Sequence, residues 1–283
     1  MLLAFDAGNT NTMLALFEEG KIKHIWRTKT IPGRSADEYA MIVTSFCNFC
    51  GLPREVVSDI VLSSVVPSLL FPLKHMAQKY FGVDPLIIEA GIKTGLVLRY
   101  DNPKQVGADQ IANAVAGIHK YGGPLIIIDF GTATTICAVN GKNEYLGGTV
   151  SPGLILSAEA LFDKAAMLPR VELVKPDTII GVNTPESIQA GLVYGHIGLC
   201  DFIVKRMKEA MRKQEEIRGE VAAKITVIAT GGLAGLLAEG IEEVDVVDKS
   251  LTMEGIGLIY QRNKGLRRKK GKAVGEPDEY AGR

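Results

Sequence analysis

Residues 2–5 are all apolar and run directly into Asp6, the pattern of a short buried strand that ends on a carboxylate. A polar turn, Ala7-Gly8-Asn9-Thr10-Asn11-Thr12, follows, and residues 13–17 are apolar again. Glu19-Gly20 turns the chain into residues 21–28, where apolar and polar side chains alternate. The pattern then predicts a helix over 35–50, a strand over 59–66 stopped by Pro67, a helix over 68–81 and a strand over 85–88.

The same opening returns half a chain later. Residues 125–128 form an apolar run into Asp129, followed by Phe130-Gly131-Thr132-Ala133-Thr134-Thr135. Strands over 136–139 and 144–146 come next, joined at Asn140-Gly141. Asp129 aligns with Asp6, Gly131 with Gly8 and Thr135 with Thr12. Helices over 154–166 and 185–219 lead to a strand over 224–229 that ends in Thr230-Gly231-Gly232. A helix over 233–239, a strand over 244–247 and a helix over 252–261 complete the pattern. The expectation is an α/β protein of two duplicated lobes, 1–115 and 116–263, each with a mixed sheet flanked by helices. From residue 264 the sequence KGLRRKKGKAVGEPDEYAGR has no apolar period, which predicts a disordered charged tail over 264–283.

Composition narrows the chemistry. Lys+Arg and Asp+Glu are both 32, so no global field favours nucleic acid or an anionic membrane, and neither is expected as a partner. Any charged ligand must be recognised locally. No stretch of about 20 uncharged apolar residues is evident, and the N-terminus lacks a basic segment before its short apolar run. A cytoplasmic protein is the simplest expectation. Cys47 and Cys50 form a lone C-x-x-C without a second pair or a His pair to complete a zinc site, so they read as structural thiols. His24, His75, His119 and His196 have no ligand spacing.

The two aspartate turns carry the candidate chemistry. Glycine lets the backbone approach a ligand, and successive N–H groups with threonine and asparagine side chains could cradle phosphate oxygens. Asp6 would face the Mg²⁺ that travels with a nucleotide, directly or through water. A single polar β-turn with a capping Asp would explain one copy; two copies in matching places favour a ligand site. Neither a P-loop nor a G-x-G-x-x-G signature is present.

The three segments at Asp6, Asp129 and Thr230 resemble the acetate-and-sugar-kinase, Hsp70 and actin superfamily. There, two ribonuclease-H-like lobes hold ATP between two phosphate loops and an adenosine loop. Within it the sequence is similar to type III pantothenate kinases. DAGNTNT, DNPKQVGAD (101–109), IDFGTATT (128–135), GGTVSPG (147–153), NTPESIQAG (183–191), ATGGLA (229–234) and LTMEGIGLIY (251–260) carry this resemblance over roughly residues 1–263.

The resemblance implies ATP binding by Asp6, Ala7, Gly8, Asn9, Thr10, Asn11, Thr12, Met13 and Thr132. It implies a pantothenate site lined by Tyr100, Gly107, Ala108, Asp109, Gln110 and Thr184, with Asp109 as general base. Asp129 would bind a monovalent cation, K⁺ or NH₄⁺, alongside the Mg²⁺ of MgATP, and the protein would be a homodimer with the acceptor site at its interface. Read from the residues alone, Asp109 is equally a helix first-turn acid and Thr184 an N-cap before Pro185. The family's run is Gly-Ala-Asp-Arg, whereas this chain has Gln110, a neutral amide for a forked cation. Gln110 then contacts a neutral part of the substrate, or binding is weakened, or another group compensates. The expected activity is ATP-dependent phosphorylation of pantothenate. The alternatives are a non-catalytic transcriptional accessory or regulatory protein, and an ATPase or phosphatase of the same superfamily.

Overall fold

A computed structural model describes residues 1–89, 91–217 and 223–271, the last six by backbone alone. The first unit is β1 (Leu2–Ala7), β2 (Asn11–Glu18), β3 (Lys21–Lys29), α1 (Ala36–Phe49), β4 (Asp59–Ser64), α2 (Pro67–Phe81) and β5 (Leu86–Ile87). Its sheet has the order β3-β2-β1-β4-β5, antiparallel within the opening meander and parallel from β1 to β4 to β5. Pro67 does not merely stop β4; it begins α2, where a missing N–H costs nothing.

The second unit comprises β6 (Val97–Leu98), α3 (Ala108–Tyr121), β7 (Leu125–Phe130), β8 (Ala133–Val139), β9 (Glu144–Pro152), α4 (Leu154–Lys164), α5 (Thr184–Ile217), β10 (Thr226–Gly231), α6 (Ala234–Leu237), β11 (Val246–Val247) and α7 (Leu251–Gly271). Its sheet order is β11-β10-β7-β8-β9-β6. Without β6 this repeats the first sheet strand for strand, so the duplicated α/β architecture expected from the paired turns is the observed one. β6 pairs in parallel with β9. Residues 97–98, which the sequence assigns to the first lobe, thus belong to the second sheet, and by sheet membership the crossing falls before residue 97 rather than at 115.

Both sheets are covered on both faces, which is why their central strands read as unbroken apolar runs. α1 and α2 cover the outer face of the first sheet, where Leu3, Phe5 and Leu62 meet Tyr39, Val43 and Leu73. α4, α5 and α6 cover the outer face of the second, where Ile126 and Ile128 meet Val193, Ile197 and Leu237. Between the sheets lie α3 and α7. Their Ala112, Val115, Ile256 and Ile259 pack with Ala4 and Val61 of one sheet and Leu125 and Ile127 of the other. Each Val, Leu or Ile among these, fully buried, contributes about 1.5–3 kcal/mol. The two helices approach closely because Gly255 faces the Ala112 carbonyl with no room for a Cβ.

One helix bears on the membrane expectation, and one expectation needs correction. α5 contains an 18-residue window of mean hydropathy 1.3, long and apolar enough to cross a membrane by length and composition. Between Thr184 and Val204 only Glu186 and Asp201 are charged. Its Ala190, Val193, Ile197, Cys200 and Val204 are nevertheless buried in the protein core. The correction concerns the tail. α7 does not end near Gln261 but continues to Gly271, because Arg and Lys are good helix formers even without an apolar face. Residues 272–283 lie outside the described residues. Cys47, Cys137 and Cys200 are buried and all four cysteines are thiols, in keeping with a structural role.

Candidate active site

Asp6 is the penultimate residue of β1 and Asp129 that of β7, each followed by a turn whose glycine N–H folds back on the chain. Gly8 N donates to the Asn11 carbonyl at 3.0 Å, and Gly131 N to the Ala133 carbonyl at 3.1 Å. Thr30 fixes the first turn: its hydroxyl donates to the Gly8 carbonyl at 2.7 Å, its N–H to the Thr10 carbonyl at 3.0 Å, and its hydroxyl meets that of Thr12 at 2.9 Å. Gly153 closes the second turn through its N–H on the Thr132 carbonyl at 3.1 Å, where a Cβ would run into that carbonyl and the Gly131 carbonyl. The turns face each other, and the Thr10 and Thr132 hydroxyls are 2.8 Å apart. Ala7 ends β1 with its carbonyl accepting Val65 N–H at 3.1 Å. Asn9 and Asn11 are exposed in the turn. Met13 Sδ receives Arg27 Nε at 3.2 Å. Arg27, which sequence reasoning missed, also borders Gly232 of the other lobe.

Three carboxylates converge on the cleft. Burial pushes Asp6 up to about 7; the charge of Asp109 adds to this and a hydrogen bond from Ser63 Oγ, at 3.0 Å, opposes it. Burial likewise pushes Asp129 up to about 6, again with the charge of Asp109 behind it and the Asn113 amide opposing it at 2.8 Å. Asp109, in the first turn of α3, is itself raised by burial, although the Gln110 N–H donates to its Oδ1 at 2.8 Å. Asp109 therefore acts on both other acids, one in each lobe.

Gln110 points from the same helical turn to Tyr145 on β9, whose hydroxyl donates to Gln110 Oε1 at 2.9 Å. Tyr100 completes this side. Its ring centroid lies 6.4 Å from that of Tyr145, and its Cε2 would stand 3.4 Å from a Cβ on Gly147, a residue at φ +109°. Gly107 and Ala108 lead into α3, and a Cβ on Gly107 would collide with the Asp109 carboxylate. The sequence-derived residues 100 and 107–110 are thus brought together, with Tyr145 as a member that no local pattern announced. Thr184 stands apart. It is exposed at the start of α5 and, among the described residues, makes no hydrogen bond to the Asp109 group. Nor is it the helix cap: Asn183 Oδ1 accepts the Glu186 N–H at 3.0 Å, and Asn183 Nδ2 donates to Glu186 Oε1 at 2.8 Å.

Chemically the arrangement offers hydroxyl and backbone donors from two turns at one end and a proton acceptor at the other. The donors suit an anionic phosphate chain, and the carboxylate suits a hydroxyl that must lose its proton. The donor set also fits small hard cations. Asp129 presents carboxylate oxygen, and on the adjoining strand the Thr230 hydroxyl is buried with no hydrogen-bond partner.

The chain is similar in fold to several solved structures. A protein described as a Baf family transcriptional activator from Campylobacter jejuni aligns with a TM-score of 0.57 at 18% identity, covering 93% of this chain and 99% of that one. A 2-dehydro-3-deoxygalactonokinase protein from Sinorhizobium meliloti aligns at 0.54 and 11%, covering 93% and 99%. The ethanolamine utilization protein EutJ from Carboxydothermus hydrogenoformans aligns at 0.53 and 14%, covering 91% and 89%. At these identities the likeness speaks for the fold. Sequence goes further: residues 2–206 match the family profile of type III pantothenate kinase, a span that holds both aspartate turns and the Asp109 helix. The chain belongs to the type III pantothenate kinase family, and its role is that of a kinase.

Proposed function

We propose that this kinase transfers the γ-phosphoryl group of ATP to the primary hydroxyl of pantothenate, giving 4′-phosphopantothenate and ADP, the first step toward coenzyme A. The acceptor oxygen forms the new bond to phosphorus as the bond to the β-phosphate oxygen breaks, and Asp109 takes the hydroxyl proton. The observation that carries this reading is the environment of Asp109. Burial raises its proton affinity from the ordinary carboxylate range, as a proton acceptor needs, and its charge acts on the acids of both turns.

Gly8, Thr10, Gly131 and Thr132 bind the phosphates; Tyr100, Gln110 and Tyr145 orient the acceptor. Asp6 faces Mg²⁺, directly or through water, and Asp129 holds K⁺ or NH₄⁺; these cations supply charge neutralisation on the phosphates. The reaction belongs in the cytoplasm. We also propose a homodimer. Ile180 and Val182 are 75% and 85% exposed beside a groove of about 420 Å³ lined by Gly181, Ala190, Gly191, Tyr194 and Gly195. Such a face suits a second copy of the chain, which would bring Thr184 into an acceptor site shared between subunits.

Incubation with MgATP, K⁺ and pantothenate is expected to yield 4′-phosphopantothenate. Phosphate release that ignores the acceptor, or no turnover by a well-folded dimer, would overturn the assignment. Sedimentation or light scattering decides the dimer.

A further inference from the structure

We infer that Thr230 is a second protein ligand of a small monovalent cation beside Asp129, and that Asn113, held by Thr252, turns the Asp129 carboxylate toward it. This rests on the cation role proposed for Asp129 and adds the partner residue and the device that aims them.

The two lobes supply an internal comparison. In the first sheet the β1–β4 register sets Ser63 beside Asp6; in the second the β7–β10 register sets Thr230 beside Asp129. Paired residues on parallel strands point to the same face, with the strands about 4.8 Å apart. In the first lobe the neighbouring hydroxyl satisfies the acid, Ser63 Oγ donating to Asp6 Oδ1 at 3.0 Å. The second lobe breaks the symmetry. Thr230 is 0% exposed and its Oγ1 has no hydrogen-bond partner, a rare and costly state for a buried hydroxyl.

Asp129 is held instead from α3. Asn113 Nδ2 donates to Asp129 Oδ2 at 2.8 Å, and Thr252 Oγ1 donates to Asn113 Oδ1 at 2.7 Å. Because Thr252 supplies a donor, the amide can present only its NH₂ to the carboxylate. The other carboxylate oxygen, Oδ1, is turned to β10: a Cβ on Gly231, at φ +92°, would stand 2.6 Å from it. By the register, the Asp129 and Thr230 side chains leave the β7–β10 pair on the same face.

The chemistry of this pair selects its ligand. Both atoms are hard oxygen donors, and one carboxylate balances one positive charge. A neutral amide, Asn113, holds the far oxygen of Asp129, so the Asp129–Thr230 pair carries one negative charge and suits one monovalent cation.

The test is thermal melting without nucleotide or acceptor, in KCl, NaCl or tetramethylammonium chloride at equal ionic strength. K⁺ is expected to raise the midpoint of the wild type and of Thr230→Ser by several degrees over tetramethylammonium. Thr230→Val, nearly isosteric and without the orphan hydroxyl, should melt at least as high in tetramethylammonium yet lose most of the K⁺ increment. Asp129→Asn should lose it entirely, and Asn113→Ala most of it. A full increment in Thr230→Val or Asp129→Asn, or none in the wild type, overturns the inference. Product formation with pantothenate is scored separately, so the kinase reading and the cation site can fail independently.

Discussion

The hydroxyls of Thr10 and Thr132 lie 2.8 Å apart, one from each aspartate turn and 122 residues apart in sequence. Two exposed hydroxyls that satisfy each other across a cleft are poised to exchange that bond for bonds to a phosphate chain. Thr10→Val and Thr132→Val are each expected to raise the KM for ATP about tenfold, the loss of one hydrogen bond to a charged group. The KM for the acceptor should change little. Equal effects on both substrates would remove the phosphate role from this pair.

Asp109→Asn should lower kcat by about 10²–10⁴, the usual contribution of a positioned general base. The amide keeps an oxygen for the Gln110 N–H, so folding should survive. Stability gives a signed check. A carboxyl with raised folded-state proton affinity is costly when ionised, so stability falls as pH rises above the unfolded value. The variant should melt at or above the wild type at pH 8, with its advantage shrinking as pH falls toward the unfolded value of 3.8. Retained turnover sinks the base assignment.

His196 has the opposite sign. Its Nε2 lies 2.7 Å from Thr134 Oγ1 within the core, and burial lowers its proton affinity. A neutral buried imidazole stabilises above its unfolded value of about 6.5 and loses that contribution as pH falls below it. The midpoint difference between wild type and His196→Gln should therefore narrow from pH 7.5 to pH 5. A difference constant with pH would mean that His196 does not titrate on unfolding.

Gln110 is where this chain departs from its family, and Tyr145 governs it. The tyrosine hydroxyl occupies Gln110 Oε1, so the amide NH₂ remains to meet the acceptor. Tyr145→Phe should raise the acceptor KM several-fold and leave that for ATP unchanged. Gln110→Arg should lower the KM for pantothenate, a carboxylate, by a charge-assisted bond. If neither variant moves the acceptor KM, this helical turn does not read the substrate.

The duplicated fold and the two facing aspartate turns were legible because they are local: an apolar run, a carboxylate, then a glycine and hydroxyls within six residues. Asp109 and Gln110 were found through motif resemblance, since a first-turn aspartate alone reads equally as a helix-terminal charge. Long-range partners left no such trace. Thr30 clamps Gly8 from the end of a hairpin, Tyr145 reaches Gln110 from another strand, and Thr252 meets Asn113 from 139 residues away. β6 is two residues long, too short for any period to show. α7 outran its apolar pattern over residues rich in Arg and Lys, which are good helix formers.

The placement of α7 has a consequence for the order of synthesis. Thr252 fixes Asn113, and α7 fills the space between the sheets against Ala112 and Val115, yet it is translated after every strand of both lobes. A nascent chain halted before residue 251 can carry both phosphate turns, but it lacks the donor that orients Asn113 and exposes the apolar face that α7 covers. Competence to use ATP is thereby tied to the chain's late arrival at its own centre. A ribosome-bound intermediate holds the parts of the cleft without their alignment.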